Sequence, residues 1–328
     1  MRYALIRISR FVLVFVIVTF LVMCVTRIGS KDPVRDLAGG SVGDTVVNQV
    51  KEDYPYVKQC EGVLTWLPCM ANQYVHWVSD IAQGDFGYSY AQNQSVADMF
   101  RQRIPSTFFL GLWAVVIGLV IAIPVGVYCA YKRDGPLDRI LSFGSFAFIS
   151  LPQLVLAVFL VYGVATRSDF FPNISSYVAP WKDPVQHFKN FFLPALTLGL
   201  GLGAVWSRLL RADMILTLQS DFINLARAKG VSPNRVLWRH ALRASSLALI
   251  TSVALQMSGL ISGAVVAEQF FIVQGIGSRL VFAVQGNDIL TIQAITAAVV
   301  AAVVVINVVV DLFYAVIDPR IRQARKLA

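Results

Sequence analysis

Groups able to do chemistry are sparse in this 328-residue chain and do not converge on a reaction centre. The three histidines, His76, His187 and His240, are scattered, and no C-x-x-C pair or His/Cys cluster occurs, so no metal site is expected. G-x-x-x-x-G-K-[ST], G-x-S-x-G and H-E-x-x-H are all missing, which leaves no phosphate loop, nucleophile elbow or zinc-protease helix. The chain is therefore expected to be no enzyme and to bind no cofactor. If it moves a solute uphill, energy must enter from a partner. Cys24 and Cys129 fall at the ends of apolar runs and read as small buried hydrophobes. Cys60 and Cys69 lie in the long segment between the first two apolar runs, where a disulfide can close a short loop if that segment is outside, in an oxidising compartment.

The setting explains this sparseness. With 56% hydrophobic and 14% charged residues and a mean hydropathy of +0.64, the composition is that of a membrane protein. A helix of about 18 apolar residues or more crosses a hydrocarbon core of roughly 30 Å. Six runs qualify: Ile8–Val25, Thr107–Ala130, Ile140–Val164, Phe191–Leu210, Leu247–Ala267 and Ile289–Ile317. The first follows Arg2, Arg7 and Arg10 as a signal peptide would, but it is long and no small-x-small cleavage site follows, which favours an anchor. Basic residues are retained on the cytoplasmic side. They concentrate at the N-terminus, at Lys132, Arg133 and Arg139, at seven positions between Arg208 and Arg243, and at Arg320–Lys326. This pattern predicts an all-α integral membrane protein of six helices with both termini inside. It also accounts for the net charge of +9 through topology and membrane lipid, with no need of nucleic acid.

The expected organisation is a cytoplasmic N-terminus and first helix (1–25), a large extracytoplasmic loop (26–106), a core of five helices (107–317) and a basic cytoplasmic tail (318–328). In the outer loop, "GDFGYSY" (Gly84–Tyr90) reads as a turn, and Val96 onward as an amphipathic helix ending before Pro105. Arg167–Asn190 reads as an interfacial loop. Glu268–Asp288, apolar but punctuated by Gly275 and Gly277, either dips between helices or lies on the membrane surface. Glu268 is expected to reach the headgroups. Gln153, Gln256, Ser258, Asn307 and Asp311 are polar at membrane depth and avoid lipid, so they are candidates to line a pathway. For Asp311, pairing with a nearby arginine is the favoured alternative. Gly259 and Gly263 form a G-x-x-x-G that serves either close helix packing or a pore, and Gly199, Gly201 and Gly203 invite the same packing. No carboxylate or histidine chain suits a cation-coupled secondary transporter, which is the alternative from another class.

The cationic segment between about 211 and 246 breaks the apolar pattern. Asp221 reads as an N-cap, and Phe222, Leu225, Ala226 and Lys229 share one helical face. Gly230 stops the helix, Ser232 caps a second one, and Pro233 is its first residue, followed by "NRVLWRHALR". Two short helices at a sharp corner suit either a groove on another protein or an anionic lipid surface.

"ARAKG" (Ala226–Gly230) with Ser232 and His240 resembles the EAA loop of binding-protein-dependent ABC importer permeases, most of all their peptide (oligopeptide/dipeptide permease B) branch. "DPVRDLAGG", "GDFGYSY", "IPVGVYCAYKRDGPLDR", "SLPQLVLAVFLVYG", "LPALTLGL" and "VVDLFYAVIDPRIR" carry the likeness from end to end, in order. The motif E-A-A-x-x-x-G falls on Asn224, Leu225, Ala226 and Gly230, with Ala226 and Gly230 matching, while Arg227, Ala228 and Lys229 agree with the peptide branch. Of the downstream I-x-L-P, Leu242 is kept, His240 is similar to the peptide branch, and Arg243 replaces proline. The resemblance implies a multi-pass protein of the prokaryotic plasma (inner) membrane forming half of a pathway for di- or oligopeptides. Nickel or glutathione is the alternative cargo. It also implies a second homologous permease subunit, two ABC ATPase subunits holding ATP and Mg, and an extracytoplasmic substrate-binding protein. The coupling contacts would fall on Asp221, Phe222, Ala226–Gly230, Ser232, Arg235, His240 and Leu242.

Overall fold

The computed structural model describes residues 2–27, 33–37, 43–57, 60, 63–168, 170–172 and 176–317; the side chains of residues 2–8, 10, 33, 36, 63, 64 and 311–317 are outside the description. The expectations for Asp311 and for the tail 318–328 therefore lie outside it as well. The chain forms two units, Met1–Ile104 with Ser278–Val305, and Pro105–Gly277 with Ile306–Ala328.

The first unit contains α1 (Arg2–Arg27), α2 (Pro33–Leu37), α3 (Asp44–Asp53), α4 (Val63–Ala82) and a small antiparallel hairpin of β1 (Tyr88–Ser89) and β2 (Gln94–Ser95). Gly84 and Gly87 both adopt φ near +90°, so the "GDFGYSY" stretch is the turn its glycines suggest. Val34, Leu37, Val47, Val50, Tyr54 and Val57 form a core with Ile289 and Leu290. A buried ion pair joins Arg279 to Asp288 at 2.8 Å, and Ser89 and Thr291 donate to the same carboxylate at 2.6 and 2.7 Å, so the charge is fully compensated. Cys60 and Cys69 are disulfide-bonded, with Cα atoms 5.9 Å apart, while Cys24 and Cys129 are buried and free.

The second unit is built around α8 (Pro184–Leu218). Pro184 fits its first turn, and the Asp183 carboxylate accepts the Gln186 amide at 2.9 Å as an N-cap. Phe191, Leu193, Ala195, Leu198, Trp206, Leu210 and Met214 are all buried, which makes α8 the central helix. It crosses α5 (Val96–Tyr131) closely because both carry glycine at the contact. A methyl on Gly199 would stand 3.0 Å from the Ala114 carbonyl oxygen, and one on Gly203 would stand 3.1 Å from that of Gly118. Gly201 faces open space. Two of the three glycines expected to let backbones approach therefore do so. His187 links the same pair: Trp113 Nε1 donates to its Nε2 at 2.9 Å, so its Nδ1 donates to the Val178 carbonyl at 2.6 Å.

Several finer expectations are corrected. The expected six spans are matched in part: four helices among the described residues are long and apolar enough to cross a membrane, five if a bent pair counts as one. That pair is the third run: α6 (Pro136–Ser150) and α7 (Gln153–Gly163) meet at 102°. Leu151 is extended and Pro152 has no amide proton to continue the ladder, which is why the run breaks there. Conversely, α5 continues through Pro105. One hydrogen bond is lost, but Met99, Phe100, Leu110 and Ala114 are buried on either side and hold the helix. The interfacial loop is shorter than Arg167–Asn190, since α8 begins at Pro184. Glu268 does not reach the headgroups; it is fully buried, accepts the Thr107 hydroxyl at 2.6 Å and fills the space beside Gly275. That hydrogen bond offsets part of its desolvation. The Glu268–Asp288 segment is largely helical, with α12 at Ile276–Gln285 before α13 at Ile289–Ile317.

Because the α5–α8 crossing leaves no space at Gly203, Gly203→Val is expected to cost about 1–3 kcal/mol by overpacking. Gly201→Val at the open position should change stability far less. Thermal unfolding of the two variants in detergent, compared directly, checks this.

Candidate functional site

The segment after α8 is shaped by local rules. Ser220 is extended and occupies the N-cap of α9 (Asp221–Ala228), so the cap is Ser220 and not Asp221. Asp221 instead stands in the first turn, where its charge favours the positive end of the helix dipole. At the other end Gly230 adopts φ +76°. The Gly230 amide donates to the Arg227 carbonyl at 2.9 Å and the Val231 amide to the Ala226 carbonyl at 3.2 Å. These two bonds form a Schellman motif, which satisfies the last carbonyls and requires a left-handed residue at this point. Ser232 then caps α10 (Pro233–Arg235) with Pro233 in its first turn, as the sequence suggested.

The second helix is not short. A single wide turn of π-helix, Val236–Ala241, connects α10 to α11 (Leu242–Phe270), so the helical path from Pro233 to Phe270 is 38 residues long. The wider turn lets the adjacent residues Val236 and Leu237 both be buried, together with Ala241. They join Ile223 of α9 and Leu210 and Met214 of α8 in one cluster. Thr217 and Ser245 hydroxyls, 2.9 Å apart, tie the end of α8 to the start of α11. The α8 base is braced further by Arg211, which donates two bonds to Asp138 on α6 at 2.8 and 2.7 Å.

Of the residues read from the sequence, Asp221, Phe222, Arg227, Ala228, Lys229, Gly230, Ser232 and Arg235 are exposed on this loop, while Ala226, His240 and Leu242 are half-buried. Phe222 and Leu225 are 50% and 57% exposed, large apolar side chains on a helix that also carries Arg227 and Lys229. The anchors Ile223, Val236, Leu237 and Ala241, and the Asp138–Arg211 brace, went unread. Only Ile223 has a local signal: it stands three residues before Ala226, so the sequence offers a second apolar face beside that of Phe222 and Leu225.

The pathway candidates do not form one cluster. Ser258 donates to Asn307 at 3.1 Å. Gln256 bonds Ser252 on its own helix at 2.9 Å. Gln153 packs onto Gly263, where an added methyl would be 3.0 Å from its Oε1, while Gly259 has open space around it. Thus Gly263 serves packing inside the unit and Gly259 does not. Among the described residues no group of histidine, cysteine and carboxylate side chains has the arrangement of a metal site.

Residues 122–323 match the family model described as binding-protein-dependent transport system inner membrane component. The chain belongs to this family of ABC transporter permeases. It is 30% identical to a protein named probable peptide ABC transporter permease y4tP of Sinorhizobium fredii, over 98% of this chain and 99% of that one. It is 30% identical to the glutathione transport system permease GsiC of Escherichia coli K12, over 98% and 99% of the two chains. It is 33% identical to the dipeptide transport permease DppB of Lactococcus lactis, over 76% and 80%. In fold it is similar to a chain of the inward-facing MetNI methionine ABC transporter, with TM-score 0.55 and 17% identity over 67% of this chain and 96% of that one. This permease is thus a multi-pass membrane protein.

The left-handed joint makes a direct prediction. Gly230→Val has free space but an unfavourable φ, so it should destabilise the turn by about 1–2 kcal/mol, whereas Gly230→Asn should be milder. Hydrogen exchange at the Gly230 (now Val or Asn) and Val231 amides measures the difference, with protection lost in the valine variant.

Proposed function

We propose that this permease forms half of the translocation pathway of an ATP-driven importer for di- or oligopeptides in the prokaryotic inner membrane. It works with a second homologous permease subunit, two ABC ATPase subunits that hold ATP and Mg, and an extracytoplasmic substrate-binding protein. On this reading the chain crosses the membrane six times and keeps both termini in the cytoplasm, with the 211–246 loop on the ATPase side. Relatives named for peptide, dipeptide and glutathione transport support short peptides as cargo. Glutathione, a γ-linked tripeptide, falls within that class and is the second reading.

One observation carries the coupling role: α9 exposes Phe222 and Leu225 while its Ile223 anchors it to α11 and α8. An exposed apolar pair edged by cations fits a groove on another protein, and its rigid joint passes any displacement into the 38-residue helical path. ATP-driven closure of the ATPase pair moves α9, which tilts α11 and opens the cavity outward; hydrolysis reverses the motion. The loop must bind the two ATPase states differently, since an effector shifts an equilibrium only by its differential affinity. In this scheme Gln153, Gln256, Ser258, Gly259, Gly263 and Asn307 are the pathway candidates.

Phe222→Asp/Leu225→Asp tests the role at exposed positions, where folding is little affected. Co-purification of the ATPase subunit with the permease should fall by roughly tenfold or more, as for paired apolar anchors at an interface. ATP-dependent peptide uptake should fall with it. Normal assembly and uptake would remove the coupling role from this loop.

A further inference from the structure

A cleft of about 550 Å³ opens between α6 and α8, at the end of the second unit that leads into α9. Asp134, Asp138, Arg139, Ser142, Phe146 and Arg208 are among its lining residues. Its charge is unbalanced. Asp138 is taken by Arg211 at 2.7 Å, by the Asp134 amide at 2.9 Å and by Ser142 at 3.2 Å. Asp134 is taken by Arg133 at 3.3 Å. Arg139 and Arg208 form no ion pair among the described residues, which leaves two exposed cations in the cleft.

The two arginines are set differently. Arg208 lies with its guanidinium carbon 3.6 Å from the centroid of the Phe146 ring. Stacking engages the face of the guanidinium and leaves its N–H edge free to donate. Arg139, Phe143 and Phe146 follow at i, i+4 and i+7 on α6, so they form one stripe along the helix. Phe143 is 76% exposed and its neighbour Ile140 65%. The stripe therefore has a cation at the helix start and phenyl rings further into the apolar span. A cation held against a lipid-facing surface is costly unless an anion meets it.

We propose that this cleft binds the phosphodiester headgroup of an anionic phospholipid, with Arg139 and Arg208 on the phosphate and an acyl chain along Phe143. Basic pockets between membrane helices are suited to such headgroups, and the order of charge and apolar surface along α6 matches that of a lipid. The site abuts the Asp138–Arg211 brace at the base of α8, so a bound lipid reinforces the foundation of the α9 joint. This holds whatever solute the permease carries.

Titration of the full chain in non-ionic detergent with phosphatidylglycerol, phosphatidylcholine or inorganic phosphate, read by native mass spectrometry, tests it. Phosphatidylglycerol should be retained roughly tenfold better than phosphatidylcholine, in keeping with two cations near a membrane surface. Inorganic phosphate should not displace it. Arg139→Gln/Arg208→Gln should abolish the preference, Arg139→Lys/Arg208→Lys should keep most of it, and Arg243→Gln, at an exposed cation outside the cleft, should keep all of it. Equal retention of the two lipids, an unchanged preference in the glutamine variant, or loss of preference in the lysine variant would overturn the proposal. Full displacement by phosphate would do so too, by showing a small-anion site, and exclusion of lipid once the second subunit is assembled would assign the cleft to that subunit.

Discussion

One backbone angle governs the reversal between α9 and the helical path that starts at Pro233. Gly230 at φ +76° closes a turn in which the last carbonyls of α9 are satisfied by the amides of Gly230 and Val231. A residue with a side chain reaches this conformation only at a cost, so the corner is fixed by glycine and is compact rather than loose. With the corner set, Ile223 meets Val236, Leu237 and Ala241, and α9 becomes part of the α8–α11 core instead of a surface appendage. The exposure of Phe222 and Leu225 is the consequence, because the helix can bury only one face against the core.

Burial is unevenly shared in the second unit. Of the most apolar window of α8, 61% is buried inside the chain, against 11% for the path Pro233–Phe270. The central helix is therefore held by intrachain packing, with glycine-mediated contact to α5, while α11 keeps a broad surface for lipid or other chains. The polar groups near the ends of the helices are engaged in the same framework: Arg211 with Asp138, Thr217 with Ser245, and Glu268 with Thr107.

Much of this was legible in the sequence where a single local rule decides. The sixth run coincides with α13 at Ile289–Ile317, because a long apolar stretch without proline or glycine has one helical outcome. Gly230, Ser232 and Pro233 fall as a helix stop, cap and first residue. Legibility failed where packing competes with propensity. Pro105 did not stop α5, since burial on either side outweighed one missing hydrogen bond, whereas Pro152 did break its run by a sharp bend. Ser220 took the cap from Asp221, a choice between adjacent residues that sequence alone does not order. Glu268 sits in a buried site whose hydrogen-bond donor, Thr107, is remote in sequence. In the loop, periodicity marked the outward face of α9 but not the π-helical turn that buries Val236 and Leu237 together.

In the proposed coupling role, α9 and the start of α11 move as one rigid piece. Asn224 and Arg243 are both exposed, and Cys24 and Cys129 are buried while Cys60 and Cys69 are paired, so spin labels can be introduced at 224 and 243 with little background. The distance distribution between these labels, measured by pulsed electron spin resonance in the assembled transporter with and without trapped ATP, tests the claim most directly. A rigid joint predicts one narrow distribution that is the same in both states. A shift of about one helical turn, ~5 Å, or a broad distribution in either state would contradict it.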